Sequence, residues 1–166
     1  MQNIDFLTKI GYIWGMNGKI SRILADDISQ NFFKGKVIVV YGPRQSGKTT
    51  LVRAIFPDYA YVSLEDPSMR AFAADDPRAF FARYGSRTVI DEAQRVPDLF
   101  SYMQGIVDRT GDPGQFVISG SQNFLLMEAI DQSLAGRVAV LNLLPLSYAE
   151  LLRAGFEPSS MAGGLF

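Results

Sequence analysis

From Lys36 onward the chain alternates short, continuously apolar runs with longer stretches of helical periodicity. Val37-Ile38-Val39-Val40, Thr88-Val89-Ile90 and Phe116-Val117-Ile118 lack the in–out alternation of a half-exposed strand. That is the pattern of strands covered on both faces of a parallel sheet. Strands are predicted over 36–41, 60–64, 87–91, 115–119 and 137–142, and helices over 48–56, 67–73, 77–83, 98–109 and 124–135. The boundary residues agree: Asp66 before Pro67, Asp76 before Pro77 and Asn123 before Phe124 read as helix N-caps, and Gly111 and Gly136 suit helix ends. Leu99, Tyr102, Met103, Ile106 and Val107 give the 98–109 helix one apolar stripe. The expectation is an α/β fold with right-handed crossovers, helices on both faces, and a ligand at the carboxyl ends of the strands.

Residues 1–35 precede this pattern. Ile20, Ile23, Leu24, Ile28 and Phe32 recur at helical spacing, so 20–33 is predicted as an amphipathic helix that packs on its own domain or docks a protein partner. Gly11, Gly15 and Gly18 break the stretch before it, which reads as loop. No internal repeat or low-complexity segment is present.

Composition narrows the chemistry. Of 166 residues, 48% are hydrophobic and 20% charged, enough for one domain with its own core, and the formal net charge is −1. The first fifty residues lean basic, with Lys9, Lys19, Arg22, Lys34, Lys36, Arg44 and Lys48 against Asp5, Asp26 and Asp27; a solvated face is the first reading and a nucleic-acid or partner surface the second. The absence of cysteine and histidine excludes disulfides, Cys/His zinc sites, thiol nucleophiles and Ser-His-Asp units. A general base must then be a carboxylate, with Lys or Tyr behind it. No apolar stretch approaches the ~20 residues of a membrane span, and no signal-peptide pattern opens the chain, so the expected compartment is the cytoplasm.

Against that background one motif stands out. Gly42-Pro43-Arg44-Gln45-Ser46-Gly47-Lys48-Thr49 fills every fixed position of G-x-x-x-x-G-K-[ST], after an apolar strand and before a helix that continues through Thr50. Backbone N–H groups of such a loop cradle phosphates at the helix N-terminus, the lysine reaches the β- and γ-phosphates, and the Thr49 hydroxyl takes one position on Mg²⁺. A nucleoside triphosphate with Mg²⁺ is therefore the expected ligand.

Three further segments carry candidate chemistry. Thr88-Val89-Ile90-Asp91-Glu92 ends a strand in two carboxylates at the same predicted edge: Asp91 to orient Mg²⁺, Glu92 to accept a proton from attacking water. Alternatively the pair only ends a strand and caps a turn. Ile118-Ser119-Gly120-Ser121-Gln122-Asn123 can bring a hydroxyl or amide toward the γ-phosphate, with Ser119 and Ser121 ahead of Gln122, or it forms a turn capped by Asn123. Arg137, after Leu134-Ala135-Gly136, has the forked permanent charge suited to a transferring phosphoryl group; a helix C-terminus contact or a surface ion pair fits the spacing equally.

In order along the chain, Tyr-Gly-Pro-Arg-Gln-Ser-Gly-Lys-Thr-Thr, Leu64-Glu65-Asp66-Pro67, Asp91-Glu92-Ala93-Gln94, Ser119-Gly120-Ser121, Leu134-Ala135-Gly136-Arg137 and Leu144-Pro145-Leu146-Ser147 resemble the ATPase domain of a bacterial and archaeal group of AAA+-like P-loop ATPases, over roughly residues 20–155. The resemblance implies a P-loop NTPase three-layer α/β sandwich with a five-stranded parallel sheet in order 5-1-4-3-2. It implies Walker A at 42–49, Walker B ending at Asp91-Glu92, a sensor at the end of the fourth strand, and Arg137 as an arginine finger. It divides the chain into an N-terminal segment (1–35), an ATPase core (36–155) and a short disordered tail (156–166). Members of the group usually continue into a helical segment and a C-terminal domain, and the twenty or so residues after Pro145 are too few for a lid, so the expectation is an ATPase core alone. ATP hydrolysis is the leading function, with Arg137 acting across a homo-oligomer interface. A nucleotide-dependent switch, signalling through the 20–33 helix or an absent C-terminal domain, is the alternative. The chain lacks Asn-Lys-x-Asp and Leu-Ser-Gly-Gly-Gln, which sets GTPases and ABC-type ATPases aside, and no Arg-rich lid supports a small-molecule kinase.

Overall fold

The computed structural model describes residues 12–15, 18–21, 24, 28, 35–121 and 124–155. Five parallel strands form the central sheet: β3 (Val37–Gly42), β4 (Ala60–Ser63), β5 (Thr88–Asp91), β6 (Phe116–Ser121) and β7 (Val138–Asn142), in spatial order β4-β5-β6-β3-β7. Counted from β3, this is the expected 5-1-4-3-2. The connecting helices are α1 (Lys48–Ile55), α2 (Pro67–Asp75), α3 (Pro77–Tyr84), α4 (Leu99–Thr110) and α5 (Phe124–Ser133), with a 3₁₀ turn at Ala93–Arg95 after β5.

Side-chain parity divides the core into two layers. Val37, Val39, Ile90, Phe116 and Ile118 face a cluster completed by Phe80 and Phe81 of α3, Leu99, Phe100, Met103 and Val107 of α4, and Leu126 and Ile130 of α5. Ile38, Val40, Val89 and Val117 face the opposite layer with Leu51, Val52 and Ile55 of α1. Because both faces are covered, the central strands need apolar residues at every position, which is why their sequences run without alternation.

The helix starts are chemically specified. Asp66 accepts from the backbone N–H groups of Ser68 and Met69, and Asp76 from that of Ala79, each with proline at the first helical position. Gly111 closes α4 in the left-handed region. Asn123 lies outside the described residues, as does the tail 156–166.

Two segments depart from expectation. Tyr12–Gly15 (β1) and Gly18–Ser21 (β2) form an antiparallel hairpin where loop was predicted, with Gly15 opposite Gly18. Glycines on either side of a two-residue connection are a hairpin signal as much as a break. Ile20 consequently belongs to a strand, not to the start of the 20–33 helix. Leu24 and Ile28 are helical, and Ile28 is fully buried against the α1 layer; the rest of that predicted helix lies outside the described residues. The second departure is α6 (Tyr148–Arg153), which was not predicted. Its start is a capping box: the Glu150 backbone N–H donates to Ser147 Oγ and the Ser147 N–H donates to Glu150 Oε2.

Candidate functional site

The β3–α1 loop is held tightly at its first residue. A Cβ on Gly42 would fall well inside 3.0 Å of the Leu143 carbonyl oxygen, where the chain leaves β7. Backbone cannot yield as a flexible side chain can. Gly42→Ala is therefore expected to cost about 2–4 kcal/mol, read as a lowered melting temperature, because the added methyl must separate two paired strand ends. Beyond Gly42, Gln45 and Gly47 take positive φ (62 and 87) and bend the loop around to the first turn of α1. Lys48 opens that helix, is only 6% exposed, and folds back so that Nζ donates to the Gly42 (3.0 Å) and Pro43 (2.7 Å) carbonyls. Burial lowers its pKa, an effect that nearby Glu92 and Asp91 offset and Arg44 reinforces.

Register brings the other segments to the same edge. Asp91 pairs across the sheet with Ser119, and Gly42 with Ser121. The Asp91 carboxylate is nearly buried and accepts from four donors: Thr49 Oγ1 (2.7 Å) and Tyr61 OH (2.8 Å) on Oδ2, Ser119 Oγ (2.6 Å) and the Glu92 N–H (3.1 Å) on Oδ1. Burial and then its bond to Asp91 push the Tyr61 phenol far above its ordinary pKa, so it remains a donor, and the Arg53 guanidinium sits 4.7 Å over its ring. Glu92 itself has φ 54, a left-handed backbone for a non-glycine residue. Its Oε2 accepts from Gln94 Nε2 at 2.5 Å, while Ser121 Oγ lies 3.4 and 3.5 Å from its two oxygens.

Glu92 and the loop border a cleft of about 510 Å³, lined by Arg44, Gln45, Gly47, Lys48, Thr49, Thr50, Glu65 and Glu92 and sized for a small-molecule ligand. A roomier groove between α3 and α4, about 640 Å³, touches none of the motif residues. Residues 34–152 match the family model described as AAA domain. The chain belongs to the AAA domain family. It is 35% identical over 135 residues to the uncharacterized proteins Rv2008c of Mycobacterium tuberculosis and Mb2031c of Mycobacterium bovis, a stretch covering 80% of this chain and 30% of each relative. The chain thus corresponds to under a third of those relatives' length. The family is one of nucleotide-binding, ATPase-type domains, and this AAA domain shares that general character. No helix among its described residues is long and apolar enough to cross a membrane.

Within the AAA domain, the loop 42–49, Thr50, Asp91, Glu92, Ser119 and Ser121 gather at the carboxyl edge of the sheet. Ser119 is fully buried behind Asp91, leaving Ser121 the serine beside Glu92. Arg137 does not join them. It precedes β7, and since Val138 is level with Val37, it stands about 20 Å down the strands from Gly42. There its guanidinium binds both Asp108 carboxylate oxygens (2.6 and 2.8 Å) and the Ala135 carbonyl (2.9 Å). That bond holds the Asp108 carboxyl below its usual pKa. Within one chain this is the surface ion pair foreseen as an alternative. Two neighbours of the site carried no assignment from sequence, Gln94 and Tyr61. Gln94 stood within a quoted motif; Tyr61 gave no local signal, because only strand pairing sets it beside Asp91.

Oxygen donors dominate where a metal would sit. Thr49 Oγ1 and Asp91 Oδ2 converge, and no cluster of three or more His, Cys, Asp or Glu exists among the described residues. One carboxylate and one hydroxyl suit Mg²⁺, which keeps several waters and completes its shell on substrate phosphates, and do not suit a metal that needs an all-protein cage.

Proposed function

We propose that residues 36–155 are a Mg²⁺-dependent ATPase core. The observation that carries this reading is the convergence of Lys48, Thr49, Asp91 and Glu92 at one sheet edge, with Thr49 and Asp91 in direct contact. Backbone N–H groups of Gly42–Thr49 and the start of α1 receive the phosphates of ATP, flanked by Thr50. Lys48 exchanges its two loop carbonyls for phosphate oxygens. Thr49 and Asp91 would hold Mg²⁺, which when bound neutralises charge on the phosphates. Glu92 accepts a proton from water as the water oxygen bonds to the γ-phosphorus and the bond to the β–γ bridging oxygen breaks, giving ADP and phosphate. Ser121 is the better placed of the two serines to sense the γ-phosphate; Ser119 fixes Asp91. Arg137 belongs to the reading only across a homo-oligomer interface, after release from Asp108.

A switch with slow turnover is the second reading. It is favoured by the closed posture of Lys48 on its own loop. Its protein partner would act through the 20–33 segment or a C-terminal domain. Binding of ATP and release of phosphate, measured across protein concentrations with Mg²⁺ and with EDTA, separates the readings. The ATPase reading expects micromolar to low-millimolar affinity, turnover at least ~100-fold slower in EDTA, and specific activity that rises with concentration if Arg137 acts in trans. Binding without Mg²⁺-dependent turnover favours the switch, and absence of ATP binding rejects both.

A further inference from the structure

Two motifs on neighbouring strands interlock residue for residue. Ser119 bonds Asp91 and Ser121 lies against Glu92, while between them Gln94 packs on Gly120. We propose that Gln94 is a positioning residue that aims the Glu92 carboxylate, and that Gly120 is the opening in β6 that admits it. This rests on the ATPase reading, in which Glu92 is the base.

Geometry carries the proposal. The Glu92 backbone is turned out of the strand by its left-handed φ, and the Arg95 N–H closes the 3₁₀ turn on the Glu92 carbonyl at 3.1 Å. That turn folds Gln94 back beside the side chain two residues before it. A glutamate has several rotamers, and the Ser121 contacts, at 3.4 and 3.5 Å, are too long to select one. The Gln94 amide at 2.5 Å does so. It engages Oε2, which leaves Oε1 to take the proton.

The arrangement has a visible cost. Because a carboxylate can only accept, the Gln94 amide must turn its nitrogen to Glu92, which directs Oε1 into the interior, where it has no hydrogen-bond partner among the described residues. Buried carbonyls are rarely left so, and a site requirement accounts for the exception. The same oxygen lies against Gly120: a Cβ there would come well inside 3.0 Å of it and 3.0 Å from Leu126 Cδ2. Since the closer clash is with the end of a flexible side chain, Gly120→Ala moves Gln94 rather than unfolding β6.

The test is a pair of mutant cycles read by Mg²⁺–ATP turnover and ATP affinity. Gln94→Leu and Gly120→Ala should each lower kcat by about tenfold or more with affinity changed less than about twofold, the split expected when only the reacting geometry is lost. Gln94→Leu should cost nothing further in a Glu92→Gln background, and Gly120→Ala nothing further beside Gln94→Ala. A merely structural role gives losses that multiply in both cycles, or affinity and kcat falling together, and either overturns the proposal. A readout without turnover accompanies them: the Gln94 side-chain amide protons, followed by NMR in nucleotide-free protein, should exchange more slowly in wild type than in Glu92→Ala. Equal exchange overturns the pairing whatever the turnover. Slow exchange in a wild type that never hydrolyses ATP instead rejects Glu92 as a base and leaves the Gln94–Glu92 contact standing.

Discussion

Replacing Glu92 with glutamine is expected to slow ATP turnover by about 10²–10⁴-fold, the usual worth of a general base. The chain contains no histidine, and Asp91 already accepts four hydrogen bonds at the base of the site. Tyr61 keeps its proton on Asp91, and the Lys48 ammonium is engaged as a donor. Glu92 is the remaining carboxylate that borders the cleft at the loop end of the strands, apart from Glu65, which pairs loosely with Arg95 at 3.9 Å. Glutamine has the same length and can still accept from Gln94 through its carbonyl, so packing and ATP affinity should stay within about threefold of wild type. Single-turnover phosphate release and equilibrium ATP binding measure the two quantities separately. Hydrolysis at the wild-type rate would remove Glu92 from the mechanism.

The second large effect is expected at Lys48. Lys48→Ala should weaken ATP binding by about 10–150-fold, corresponding to charge-assisted hydrogen bonds worth roughly 1.5–3 kcal/mol. Nζ already stands on the Gly42 and Pro43 carbonyls at the mouth of the loop, so phosphate replaces partners of weaker charge. Burial has stripped much of the ammonium's water in advance, which also lowers its pKa, and less solvent remains to be displaced when an anion arrives. Fold stability should fall as well, because the Gly42 carbonyl left without Nζ is buried. Titration calorimetry with ATP, alongside a melting curve, tests both halves. Unaltered affinity would show that the loop backbone holds ATP without the lysine.

Much of this molecule was legible because its signals are local. A continuously apolar run bounded by polar residues predicts a buried strand, and Asp-Pro pairs fix where α2 and α3 begin. The loop motif needs only its own eight residues and the elements that flank it. Elsewhere a local signal had two meanings. Gly15 and Gly18 interrupt a helix and also make a hairpin, and pairing decided for the hairpin, taking Ile20 with it. Ser147-x-x-Glu150 did announce α6, but the helix is six residues long and carries too little periodicity to be noticed without its cap.

Short-range periodicity and composition set the α/β alternation, the loop at 42–49 and the residue types available for chemistry. Resemblance, not periodicity, supplied the strand order. Tertiary structure alone decided the partnerships: Ser119 with Asp91, Ser121 beside Glu92, Gln94 over Gly120, Tyr61 on Asp91, and Arg137 on Asp108 at the far end of the sheet. The reason is physical. An alternation or an apolar run tells which side of a strand is buried, but strands far apart in sequence meet in a register set by crossover packing, and that register chooses which side chains touch.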